Sequence, residues 1–155
     1  TMTSTQHNMP NLQFLFQLNL KHKVGVDVSA STADLRDKTT GYGRQVMPVT
    51  GGQCIGPNIN AKILEHGAAD WLINGPNGTK LNIRLTLKTE DNEFIYVTYD
   101  GFVGKNTNGM LVTFPRFETN AEKYIYLIDT PCVAIGKGGD GVRYDVYAVK
   151  PVPKL

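Results

Sequence analysis

Apolar and polar residues alternate with a period of two through most of the chain. In Leu12–Leu20 every even position is apolar, and Gln13, Gln17 and Asn19 occupy three of the four odd ones. Leu81, Ile83, Leu85 and Leu87 alternate with Asn82, Arg84, Thr86 and Lys88. Successive side chains of an extended strand leave opposite faces, so this is the pattern of strands half-buried in a sheet. Phe94–Phe102, Met110–Phe114, Lys123–Ile128, Cys132–Ile135 and Val142–Val149 are rich in β-branched and aromatic residues and are predicted as strands too. Turns are predicted at Gly75-Pro76-Asn77-Gly78, Glu90-Asp91-Asn92 and Gly136–Gly141. Only Ser31–Lys38 reads as a turn or two of helix, with Ser31 or Thr32 as N-cap. About eight to ten short, regularly spaced strands predict an all-β fold, a closed antiparallel barrel ahead of a sandwich. A barrel of about eight strands has room inside for side chains or one small ligand. No linker or repeat divides the chain, so one domain is expected over residues 11–155 after a disordered polar tail, Thr1–Pro10.

Composition narrows the function classes. With 41% hydrophobic and 19% charged residues over 155 positions, the chain can bury a core without disulfide staples. The net charge of +2 comes from interspersed signs, and without a basic stripe nucleic acid is not an expected partner. The longest apolar runs, such as Ile125–Ile128, are far too short to span a bilayer as a helix. The polar start carries no apolar leader core, and Cys54 and Cys132 are expected as buried free thiols, which together predict a cytoplasmic protein.

Familiar catalytic signatures are missing. The three serines, Ser4, Ser29 and Ser31, form no nucleophile elbow, and His7, His22 and His66 are scattered without metal-ligand spacing, so neither a metal nor a cofactor is expected. What remains are carboxylates, arginines and aromatics in or beside strands. Asp70-Trp71 follows a glycine turn: either Trp71 anchors the core while Asp70 ties down the turn, or Trp71 walls a pocket with Asp70 at its mouth. Arg84 lies mid-strand, where its face is either the solvated outside or the lining of the barrel; in the second case it suits a carbonyl or developing oxyanion. Pro115–Thr119 is read as joining two aromatic-rich strands, and within it Arg116 and Glu118, two apart, share a face and form a structural or a catalytic pair. Tyr96, Tyr99, Tyr124, Tyr126, Tyr144 and Tyr147 sit in predicted strands, most as core or contact residues, one or two able to offer a hydroxyl to an aromatic ligand.

Several short words recur in one order: Gly43-Arg44, Pro48-Val49-Thr50-Gly51-Gly52, Gly56-Pro57, Gly67 with Asp70-Trp71, Arg84 with Thr89-Glu90-Asp91, Gly101, Pro115–Thr119 and Val146-Tyr147. In this the chain resembles the DUF3237 (UPF0311) family. The resemblance implies a lipocalin-like closed barrel, often dimeric, with the Asp-Trp, mid-strand Arg and Arg-Phe-Glu segments around a cavity. Some fungal relatives are associated with natural-product pathways, which implies cofactor-free cyclisation or isomerisation of aromatic intermediates. The chain departs from the family's pattern at Tyr124–Ile128, where Tyr-x-Trp-Leu-Asn is common. The expected function is therefore a cofactor-independent isomerase or cyclase for a phenolic or conjugated small molecule; a non-catalytic binder and a lactone or epoxide hydrolase are the alternatives. Asp70, Arg84 and Glu118 are the expected catalytic residues, and Arg44, Trp71, Thr86, Tyr96, Arg116, Phe117 and Tyr126 the expected substrate contacts. Asp70, Trp71, Arg84 and Glu118 are expected to converge at the open end of the barrel of a homodimer.

Overall fold

The computed structural model describes residues 9–22 and 33–151. The expected tail, except Met9 and Pro10, and the N-cap at Ser31 or Thr32 lie outside the described residues. Ten strands run through the rest: β1 (Pro10–His22), β2 (Ala33–Asp34), β3 (Gly43–Gly56), β4 (Ile59–Ile63), β5 (Ala69–Gly75), β6 (Gly78–Thr89), β7 (Phe94–Gly104), β8 (Leu111–Glu118), β9 (Cys132–Gly139) and β10 (Gly141–Pro151).

All pairings are antiparallel and they close a ring. The order β1-β10-β9-β8-β7-β6 continues through β4 and β5 to β3, and β3 returns to β1. β4 and β5 together form a single stave between β3 and β6: β4 pairs Gln53–Gly56 and Leu87–Thr89, whereas β5 pairs Gly43–Pro48 and the upper part of β6. Closure depends on Gly51-Gly52, where β3 passes from its pairing with β5 and β2 to its pairing with β4 and β1. Gly52 has φ 138° and lies against β1, so that a Cβ there would run into the Asn19 carbonyl; only glycine meets both demands.

The alternation separates the two faces of the wall. Leu81, Ile83, Leu85 and Leu87 of β6 point inward and are buried, as are Ile95, Val97 and Tyr99 of β7 and Leu18, Leu20 and Phe16 of β1. The hairpins β5–β6, β7–β8 and β9–β10 turn at one end, called here the upper end. The lower end is plugged by a 3-10 helix, Glu122–Leu127, whose Tyr124 and Leu127 enter the core. Tyr124 donates from its hydroxyl to Asp91 at 2.9 Å, fastening the plug to the β6–β7 turn, where Asn92 takes the positive φ its type tolerates. Cys54 and Cys132 are buried and free. No helix among the described residues is long and apolar enough to cross a membrane.

Three expectations are corrected. Lys123–Ile128 is not a strand: its buried positions, Tyr124 and Leu127, are three apart, the repeat of a 3-10 turn. Pro115–Glu118 is not a connection but the second half of β8; it lies beyond the last β8–β9 rung at Thr113, where a strand can carry a proline. Ala33–Asp34 pairs with Val46 and Gln45 as β2, so the described part of Ser31–Lys38 is not helical.

Leu85→Ala, at 1% exposure in this interior, should cost about 2–5 kcal/mol of unfolding free energy. Gly→Ala at an unstrained site stabilises slightly, whereas Gly52→Ala should destabilise by more than about 1 kcal/mol, because strain and backbone clash coincide. Urea unfolding measures both, and a Gly52→Ala protein as stable as the wild type would remove the closure argument.

A buried acid at the upper end of the barrel

β5 brings Asp70 into the interior. Paired residues share a face, and Asp70 stands opposite Met47 of β3 and Ile83 of β6, whose row continues to Tyr99 of β7. Asp70 is 7% exposed. The β5–β6 ladder lacks rungs at Trp71 and Leu72, and there the backbone N–H of Asn82 donates to Asp70 Oδ1 at 3.1 Å. That bond favours the carboxylate, but burial outweighs it and pushes the Asp70 carboxyl up to about 7.

Two tyrosines share this layer. Tyr99 and Tyr144 meet edge to face with ring centroids 5.4 Å apart, and the Asp70 charge acts on both. Burial chiefly, then the neighbouring charges, raises both phenols above their ordinary value, so both stay protonated as donors. Tyr144 packs against Gly136, where a Cβ would meet its ring. Among the described residues the Tyr99 hydroxyl and Thr113 Oγ1 have no hydrogen-bond partner, at 1% and 0% exposure. An unpaired buried hydroxyl costs about 1–3 kcal/mol, and both hydroxyls are left unsatisfied in this part of the interior. Above it stand the partly buried Leu72, Val103, Leu111 and Val142.

The other sequence-selected residues lie elsewhere. Arg84 is exposed on the outer wall, its guanidinium 5.1 Å from the centroid of Trp71, which faces outward too. Arg44 donates to the Trp71 carbonyl at 3.1 Å from the same side. Thr86, Tyr96 and Glu118 align across β6, β7 and β8 on that outer face. Arg116 there is 3.6 Å from Asp100, both exposed. Phe117 points inward but packs edge to face with Phe16 in the apolar core, with centroids 5.7 Å apart. Tyr126 is 46% exposed at the lower end. Thus Asp70, Trp71, Arg84 and Glu118 do not meet in one concavity: strand parity places Asp70 inside and the other three outside.

The family's sequence profile, described as a protein of unknown function (DUF3237), matches residues 10–149. The chain is a DUF3237 protein. A UPF0311 protein of Bradyrhizobium diazoefficiens is 27% identical over 157 aligned residues, covering 90% of this chain and 98% of its own. A β-barrel-like protein of Acinetobacter baumannii superposes with a TM-score of 0.75 at 24% identity over 95% of this chain and 100% of its own. An enzyme of Penicillium herquei does so with a TM-score of 0.72 at 20% identity over 96% and 100%. The two structural likenesses are of fold alone.

The raised pKa of Asp70 has a consequence for stability. In the unfolded chain the carboxyl titrates near 3.8 and in the fold at about 7, so between these pH values the folded state holds the extra proton. Stability from this group is complete below about pH 4 and is lost as pH rises through 7. Asp70→Asn should flatten that decline and be the more stable protein above pH 7, by up to a few kcal/mol. Urea midpoints at pH 4, 5.5, 7 and 8 check it, and parallel profiles for both proteins would contradict it.

Proposed function

We propose that this DUF3237 protein is a cofactor-independent isomerase or cyclase acting on a phenolic or conjugated small molecule at the upper interior of its barrel. The carrying observation is Asp70, buried, raised to about 7, and near enough for its charge to act on Tyr99, whose hydroxyl is unpartnered like that of Thr113. A general base works best with a pKa near the operating pH. Hydroxyl donors already in place serve an oxygen that gains charge during reaction. In a conjugate addition of a phenol to an enone, the Asp70 carboxylate takes the phenol proton as the oxygen bonds to the β-carbon. The enolate oxygen accepts from Tyr99 and Thr113, and the proton on Asp70 passes to the α-carbon. The donor role expected of Arg84 falls to these hydroxyls, because Arg84 faces outward. Catalysis is consistent with the same fold serving the Penicillium herquei enzyme.

The test is conversion of 2′-hydroxychalcone to flavanone, followed by loss of the enone absorption. Asp70→Asn should lower the rate by about 10²–10⁴-fold, and Tyr99→Phe by up to roughly 10²–10³-fold. The wild-type rate should rise through pH 7 as the carboxylate forms. Equal binding by all three proteins without turnover would favour the carrier reading. Incorporation of heavy oxygen from solvent into a lactone or epoxide product would favour the hydrolase.

A homodimer belongs to the same proposal. The outer face of β5 to β8 interleaves Trp71, Tyr96 and Phe114 with Arg84, Arg116, Asp100 and Glu118. Aromatic and arginine side chains are enriched at interfaces, and the mixed signs suit a two-fold partner of identical charge pattern. Sedimentation at micromolar concentration should give a dimer that Phe114→Glu dissociates; a wild-type monomer would count against it. The buried free thiols Cys54 and Cys132 fit a reducing, cytoplasmic setting for the protein.

A further inference from the structure

A second polar level lies above Asp70. Gln45 of β3 stands opposite Leu72 of β5, two residues up the strand from Asp70, and is therefore on the same inward face. It is 9% exposed. Its amide is held from one side only. Thr79 Oγ1 donates to Asn74 Oδ1 at 2.9 Å, and Asn74 Nδ2 donates to Gln45 Oε1 at 3.5 Å. The chain of bonds engages the Gln45 oxygen, and Nε2, which donates to no described residue, is not sealed from solvent. Nε2 is thus an open donor at this level, where a methionine or leucine would present none.

We infer that Gln45 is a specificity residue of this interior, donating from Nε2 to an acceptor atom on the ligand. This rests on the reading of Asp70 given above. Two residues of strand rise separate the two levels by about 7 Å. Leu72 stands at the Gln45 level, with Val103, Leu111 and Val142 also partly buried against the core. The ligand that fits is compact and flat, apolar in the middle, with an acidic or enolisable group at the Asp70 end and a carbonyl, ether or hydroxyl oxygen at the Gln45 end. Asn74 and Thr79 position the amide and do not touch the ligand.

A matched pair of probes tests this. 4-Hydroxyacetophenone carries polar groups at both ends of one ring, and 4-ethylphenol has the same phenol without the carbonyl. Dissociation constants from amide-resonance titrations should favour 4-hydroxyacetophenone by roughly three- to tenfold in the wild type, the scale of one neutral hydrogen bond. Gln45→Leu should abolish that preference and leave 4-ethylphenol binding unchanged; Gln45→Met repeats the test if the leucine variant does not fold. Asn74→Leu should weaken the preference without altering 4-ethylphenol affinity. A preference that survives in Gln45→Leu or Gln45→Met overturns the inference while the Asp70 reading stands. If neither probe shifts the resonances around Tyr99, the interior site falls and the inference with it.

Discussion

Closure of the sheet between β1 and β3 is the constraint on which everything else rests. A ten-strand sheet left open would expose two edges and both faces, and no residue of β5 or β7 would have an inside. The pairing from Gln17–Ile55 to His22–Val49 closes it, and Gly51-Gly52 lets one strand serve two sets of neighbours. Once the ring is shut, strand parity decides the environment of each side chain: one residue's shift along β5 is the difference between a desolvated carboxylate and a tryptophan stacked on a solvated arginine.

The enclosed space is not uniform. Its lower part is apolar and tightly filled, with Phe16, Phe117, Leu127 and Val146 sealed by the 3-10 plug. Its upper part contains Asp70, Tyr99, Thr113 and Gln45. The lower half supplies stability, which leaves the upper half free to retain groups that cost stability: an acid held partly protonated and hydroxyls without partners. Such arrangements persist where a rigid surround holds them, and they are a physical reason to look for function there.

Much of the barrel was legible in the sequence because alternation is a local property. Leu81 to Leu87 displayed both faces of β6 without reference to any other strand. Which face was inside was not legible for Arg84, since a period of two labels faces but does not name them; the apolar set at odd positions was the available clue. Asp70 was selected beside Trp71 as if adjacent residues shared a site, whereas adjacency in a strand guarantees the opposite. Tyr99 was visible as a strand tyrosine, but its unpaired hydroxyl is a fact of three-dimensional packing. Thr113 and Gln45 carried no signal beyond their parity: each sits on the inward register of its strand, a polar residue among apolar ones. The plug at Glu122–Leu127 was misread because its β-prone residues, Tyr124 to Tyr126, outweigh a spacing of three that only one pair displays.

The stave made of β4 and β5 is broken at Leu64–Ala68, and Asp70 is the second residue beyond the break. Strand ends open more readily than strand middles, and the rungs missing beside Trp71 and Leu72 leave this end with fewer bonds to break. The wall next to the buried acid is thus interrupted on its β6 side. Opening that one stave would bring solvent to Asp70 while leaving the pairings among the other seven staves in place.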